Sequence, residues 1–344
     1  MYYLVFVILL YASFLEMFLK KKVPLAFYVS YLLMTFMVMF RYEQLTDYSN
    51  YEYLYSNWDM PEWRDPLFRI ISNAIKDAGF DFKAYVMIVG AATMGMSLPF
   101  FYKICEKSCT ALFVFYSYAF LILPMSGMRQ GVSLALLLLA FTFLVRGKRL
   151  LFFLIIAIGS FIHLSMISTI PIGLFYKKDW YNKDWMKWVV LGMAIFALLS
   201  PDLSQYTAFL NDRAFEASDG NRSFQVVLRV IIIVPLVLVK PLYGTRGYYA
   251  KAICIMGYCL FCLLVFNEQA SSRNEYYFRV FLGLFIWHLI FVMKRVYLKN
   301  AILGVFLAVH VFMFFKNINS FINQGSYSTE NVNMLNFPYI SIFD

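Results

Sequence analysis

Two side chains with chemical potential sit where an apolar chain would not ordinarily spend them: Arg129 at the mouth of a greasy run, in Met128-Arg129-Gln130-Gly131, and His163 deep inside the next one. A guanidinium is a planar fork of donors matched to phosphate or carboxylate. In a poorly hydrated place it stabilises negative charge that builds as a bond breaks. A neutral imidazole or a carboxylate can take the proton of a weak hydroxyl nucleophile, and His163 and Asp47 are the two groups offered for that work. For His163 two readings stand side by side: a catalytic or orienting group, and a buried histidine hydrogen-bonded within a helix bundle. His288 and His310 lie inside apolar runs with no accompanying motif and read as packing.

The elements that position these groups are membrane helices. The chain is 62% hydrophobic and 20% aromatic, only 15% of its residues are charged, and its mean hydropathy is +0.66, well outside globular usage. Apolar runs long enough to cross a hydrocarbon core of about 30 Å recur from end to end. They predict spans near 2–19, 23–40, 84–102, 109–124, 130–145, 150–162, 164–176, 188–200, 224–239, 252–266, 279–293 and 300–316. The expected fold is therefore an all-α polytopic membrane protein with about 11–12 transmembrane helices, one integral membrane domain over 1–344. Met1 to Leu19 reads as a retained first span, because Lys20 to Lys22 follow the apolar stretch and no small-residue cleavage site is present. Those lysines set the inner side, and both ends lie outside. Splitting 150–176 into a short broken pair near His163 keeps both flanking basic clusters inside; such a thin place is tolerated only where it lines protein or water.

On this map the inner face carries eighteen basic and four acidic residues, a balance of +14, and the outer face twelve basic and sixteen acidic, a balance of −4, together the chain's +10. Lysine obeys the inside rule and arginine runs against it. Arg41, Arg64, Arg69, Arg129, Arg213, Arg222, Arg229, Arg273 and Arg279 all fall outside or at the outer edge. Either they pair with outer acids and lipid phosphates, or they build an outward-facing anion site; Arg129 and Arg279, each opening an apolar span, favour the second.

The outer loop 41–83 is polar and aromatic, then becomes an amphipathic helix expected to lie on the membrane surface. Asp65 is its N-cap, Pro66 its first residue and Gly79 its stop. Leu67, Phe68, Ile71, Ala74, Ile75 and Ala78 form its apolar stripe. Tyr42, Tyr48, Tyr51, Tyr53, Tyr55, Trp58 and Trp63 beside Asp47 fit a sugar-binding surface and, equally, an interfacial aromatic belt. Further outer segments are 201–223, 267–278 and the tail 317–344. The five cysteines sit in or beside apolar helices, and Cys259-x-x-Cys262 reads as packing. No cluster has metal-ligand spacing and no glycine-rich phosphate loop is present, so neither a metal, a nucleotide nor any other cofactor is expected, and no nucleic acid.

Asp47-Tyr48-x-x-Tyr51, Asp65-Pro66-Leu67-Phe68 opening a helix, Arg129-Gln130-Gly131 opening a span, a basic turn, and Phe161-Ile162-His163-Leu164-Ser165 together resemble the EpsG-like, Wzy-type bacterial polysaccharide polymerases. The motifs cover about residues 40 to 175; the family more often has glutamate where this chain has Asp65. The resemblance implies a glycosyltransferase at the outer leaflet of the inner (plasma) membrane, its active face periplasmic or outside, similar in architecture to O-antigen ligases. It would join repeat units carried on undecaprenyl pyrophosphate into O-antigen, capsule or exopolysaccharide. In that reading His163 and Asp47 are catalytic. Arg129, Arg279, Arg273, Arg213 and Arg222 bind pyrophosphate, and Tyr48, Tyr51 and Gln130 contact the glycan. Membrane lipids, a flippase and a chain-length regulator are its implied partners. The competing readings are a lipid-linked oligosaccharide flippase or other polysaccharide transporter, a membrane O-acyltransferase and a structural assembly protein; the arginines gathered on one face, without an internal repeat, favour an enzyme.

Overall fold

The structure is a computed structural model that describes residues 1–19, 21–42, 47–57, 65–199, 222–285, 296–324 and 339–343. It is helical and divides into two compact units, 1–167 with 293–344, and 168–292. The first contains α1 (Tyr2–Leu19), α2 (Pro24–Met39), α3 (Tyr48–Ser56), α4 (Pro66–Asp77), α5 (Phe82–Pro99), α6 (Ser108–Phe115), α7 (Met128–Val145), α8 (Arg149–Ile162) and α14 (Val296–Gln324). The second contains α9 (Ile170–Phe175), α10 (Trp185–Leu199), α11 (Arg222–Leu238), α12 (Arg246–Leu263) and α13 (Glu268–Arg279).

Local chemistry sets the boundaries. Prolines 24 and 66 stand in the first turns of α2 and α4, where no N–H is missed. Gly79, at φ +86°, turns the chain out of α4, and Asp81 then caps α5 by accepting from the Ala84 N–H at 2.8 Å. Gly147, at φ +81°, makes the tight turn that folds α8 back along α7. π-helical turns extend α5 through Phe100–Ile104 and α6 through Tyr116–Phe120.

Lipid is as apolar as leucine, so membrane helices associate through close packing and polar bonds rather than by escape from water. In the first unit Ser13 donates to Thr110 at 3.2 Å, the Tyr31 hydroxyl engages Ser97 at 2.7 Å and the Met94 carbonyl, and Asn317 donates to the Ser117 carbonyl at 3.1 Å. Phe6 and Phe314 stack at 4.2 Å, bringing α1 and α14 together. One end of this unit is closed by the chain itself: residues 40–42 pair antiparallel with 340–342, the Tyr339 ring meets Tyr2, and its hydroxyl donates to the Met37 carbonyl. In the second unit α12 is central, packing against α10, α11 and α13.

Among the described residues, four helical stretches are long and apolar enough to cross a membrane: Tyr2–Leu19, Phe82–Ile104, Met128–Val145 and Lys299–Ile322. Six shorter apolar helices, from Pro24–Met39 to Arg229–Leu238, fall on further expected spans, and α12 on another. The stretch 150–176 does break: α8 ends at Ile162, His163 is extended at φ −156°, and a 3-10 turn over Leu164–Thr169 leads into α9. Two expected outer segments differ. In the expected outer loop 267–278 the chain is helical, as α13 (Glu268–Arg279), and α14 runs on to Gln324, past the expected end of its span. Low hydropathy hid α13, in which Glu275 and Arg279 are buried by pairing one turn apart. Segment 201–223 lies outside the described residues except for its last two positions, as do tail residues 325–338.

Gly131 marks a close approach. A Cβ there would stand 2.9–3.0 Å from the backbone of Leu123 and Pro124, which has no rotamer to yield. Gly131→Ala is expected to destabilise the detergent-purified protein by about 1–3 kcal/mol, the usual overpacking cost. Gly95→Ala, on a helix with open space at its Cβ, should be neutral or slightly stabilising. Thermal unfolding of the two variants side by side checks this; equal midpoints would refute the close approach.

Candidate functional site

Arg129 is the second residue of α7, and two side chains fix it. Its Nη1 donates to Asp65 Oδ2 at 2.6 Å, while its backbone N–H and its Nε both donate to the Tyr51 hydroxyl at 3.4 Å. The guanidinium carbon lies 5.7 Å from the Tyr51 ring centroid. Asp65 is nearly buried, at 11% side-chain exposure, whereas Arg129 keeps 30%, so the pair is anchored inside and reachable at its cationic end. Asp65 occupies the N-cap position of α4 but makes no side-chain cap bond; the expected capping carboxylate is turned to Arg129 instead.

Helices α3 and α4 hold these partners. Lys76 of α4 donates to the Tyr55 and Ser56 carbonyls at 3.0 and 3.1 Å, capping the end of α3. Ser72 engages the Tyr85 hydroxyl at 2.8 Å, tying α4 to α5. The apolar stripe of α4 is divided: Phe68 and Ile75 pack into the cluster of Tyr48, Tyr51, Tyr55, Phe82 and Tyr85, while Ile71 is 38% exposed.

This cluster changes the expected glycan contacts. Tyr48 and Tyr51 are only 3% and 5% exposed, so their ring faces are spent in the protein core, and Gln130 is buried at 7%. They build the wall of the site and do not present a stacking surface; Tyr53, 53% exposed, is the ring that α3 turns outward. Asp47 is half-buried and opens α3 one turn before Tyr51, its carbonyl accepting the Tyr51 N–H at 3.0 Å.

His163 enters from α8. Ser133, four residues into the chain beyond Arg129, donates to the carbonyl of Gly159, four residues before His163, at 3.3 Å. Because α7 and α8 are antiparallel about the Gly147 turn, Arg129 and His163 come level, each about one helical turn past that contact. Ile162 belongs to the same buried cluster as Met128 and Val132. Met166 fills the space over Gly159, and the Ser165 hydroxyl lies 2.5 Å from His163 Nδ1, orienting the ring.

The other arginines have different fates. Arg41 is buried, donating to the Val38 and Pro124 carbonyls at 3.0 and 2.9 Å, and burial pushes its guanidinium down to about 10. It remains charged at neutral pH as a structural clasp. In the second unit Glu275 takes Arg229 Nε at 2.8 Å and, one turn along α13, Arg279 Nη2 at 2.7 Å; all three side chains are below 9% exposure, and Arg229 lies over the Phe261 ring at 3.8 Å. Arg279 therefore ends a helix, paired with Glu275 one turn before it; the greater part of the span it is expected to open lies outside the described residues. The trio carries net positive charge beside a small pocket whose other walls include Ile232, Ile233, Leu236, Phe278 and Leu282. Arg273 is exposed on α13. Arg222 begins α11, and Arg213, Arg64, Trp58, Trp63 and His288 lie outside the described residues.

His310 is buried, bonded to the Phe306 carbonyl at 2.9 Å and packed on the Phe306 and Phe113 rings, as a packing histidine would be. Sequence reasoning passed over three partners: Asp65 as the counter-charge of Arg129, and Arg229 with Glu275. The spacing Glu275-x-x-x-Arg279 was the available signal, legible only once 268–279 is read as a helix. Among the described residues no group of three metal-ligating side chains comes together.

Among known proteins, no curated protein and no solved structure matches the chain. The sequence profile of the EpsG family matches residues 24–341, which takes in α2 through α14 and both arginine sites. The chain belongs to the EpsG family, a family of Wzy-like polysaccharide polymerases.

Proposed function

We propose that this protein is a lipid-donor glycosyltransferase, polymerising oligosaccharide repeat units carried on undecaprenyl pyrophosphate at the outer leaflet of the bacterial inner membrane. The observation that carries the reading is Arg129, fixed by Asp65 and Tyr51 at the mouth of α7 and level with His163 on α8. A cation and a proton acceptor at one depth are what this transfer requires.

In the step itself, a hydroxyl oxygen at the nonreducing end of the acceptor unit attacks the anomeric carbon of the donor glycan. The carbon–oxygen bond to the pyrophosphate breaks, and its electron pair leaves with the lipid carrier. Arg129 stabilises that charge, in a setting where fixed dipoles replace water. The hydroxyl proton passes to His163, whose ring Ser165 orients, or to Asp47 at the start of α3. The Arg229–Glu275–Arg279 group supplies the same cationic chemistry in the second unit, with Arg273 on the same helix and Arg213 and Arg222 preceding it in the chain. A flippase would supply the substrate and a chain-length regulator would act on the product.

The test is polymerisation of a matching lipid-linked repeat unit by the purified protein, with EDTA present throughout. Wild type should give a ladder of products at a rate EDTA leaves unchanged. Arg129→Gln should lower that rate by about 10²–10³, the scale for removing one preorganised donor. His163→Ala should lower it by about 10²–10⁴, the scale for removing a general base. An authentic substrate giving no ladder from folded wild type would overturn the enzyme reading; undiminished ladders from both variants would move the site elsewhere.

A further inference from the structure

We infer that Asp65 is a positioning residue for Arg129: it aims the guanidinium across the mouth of α7 so that an incoming lipid-linked diphosphate meets a cation already held in place. This rests on the reading of Arg129 as the phosphate ligand given above.

Asp65 stands at the N-cap of α4 with extended backbone (φ −100°, ψ 91°) and Pro66 after it. In that position an aspartate ordinarily accepts one of the first helical N–H groups. Here the carboxylate leaves α4 without that bond and crosses to Arg129, sixty-four residues away in sequence, at 2.6 Å. The carboxylate is itself immobile. Pro66 fixes the chain on one side, the Arg69 N–H donates to the Asp65 carbonyl at 3.1 Å, and Ser72 pins α4 to Tyr85. On the opposite edge of the guanidinium, the Tyr51 hydroxyl takes Nε from within the aromatic cluster.

Asp65 has two opposed effects on an anion. Its negative charge repels phosphate, while its hold removes the rotamer freedom that an arginine otherwise loses on binding. Orientation prevails because the carboxylate is anchored on the protein side, at 11% exposure, and cannot swing into the mouth, whereas Arg129 retains 30%. A diphosphate brings several negative charges, and pre-aimed donors match it without rearrangement.

The experiment measures binding of farnesyl diphosphate, a short isoprenoid diphosphate, to the full chain in detergent, with thermal unfolding of each variant alongside. Asp65→Asn keeps the size of the side chain and, because the Asp65 carboxylate makes no cap bond to α4, removes the charged hold without removing a cap. Its affinity should fall about tenfold while the protein stays folded at the assay temperature, with an unfolding midpoint lowered by the lost ion pair. The charge swap Asp65→Arg with Arg129→Asp should recover stability without recovering affinity, because the cation is then rooted on the wrong helix. Unchanged or tighter binding by Asp65→Asn, or affinity restored by the swap, would overturn the proposal and leave the pair a purely structural bridge. If Asp65→Asn does not fold, Tyr51→Phe takes its place: it keeps the ring in the core and removes only the hydroxyl holding Nε, and wild-type affinity in it would equally overturn the proposal. Arg129→Gln separates the two readings, since wild-type affinity in that variant would remove Arg129 from the site altogether.

Discussion

The 2.6 Å ion pair between Asp65 and Arg129 is the joint on which the outer architecture depends. A guanidinium at the end of an apolar helix needs a counter-charge, and a short loop helix resting on a membrane bundle needs a fixed point. One contact meets both needs, linking α4 to α7 through side chains that belong to widely separated motifs. Because α7 and α8 form an antiparallel hairpin pinned at Ser133 and Gly159, the same joint sets where His163 stands relative to the arginine. The cluster of Tyr48, Tyr51, Tyr55, Phe68, Phe82 and Tyr85 then supplies a rigid wall, since buried aromatic rings pack at fixed angles and carry few rotatable bonds.

Arginines on one face of a membrane protein do not share one role, and burial sorts them. Arg41 is enclosed and satisfied by backbone carbonyls, so it welds the end of α2 to the turn before α7. Arg229 and Arg279 are enclosed with a single carboxylate between them. Such a group is costly to bury in low dielectric and is weak evidence for stability as such. Arg129 alone of these four combines a fixed counter-ion with substantial exposure, the combination a binding cation requires.

Much of this was legible in the sequence. Composition and run length give the helical bundle, Pro66 and Gly79 bracket α4, and the basic clusters flanking 150–176 point to an interruption where α8 ends at Ile162. The failures share a physical cause. Local sequence makes Asp65 a cap, because its partner is a tertiary neighbour that no periodicity announces. Aromatic composition is the same for a core and for a sugar platform, so at Tyr48 and Tyr51 only the fold around them decides which face is free. Hydropathy averages over the polar residues of α13 and gives a loop, whereas Glu275 and Arg279 are buried by pairing with each other and with Arg229.

The chain returns to its starting end. Residues 40–42 leave α2 at the end where Tyr2 lies, and residues 339–343 pair with them there. The interruption between α8 and α9 takes the backbone from His163 to Thr169 out of the regular α-helical ladder. Lipid cannot satisfy such groups, so a break at membrane depth is tolerable only against protein or water. Met166 packed over Gly159, and the Ser165 hydroxyl against His163 Nδ1, are the protein contacts that meet it there.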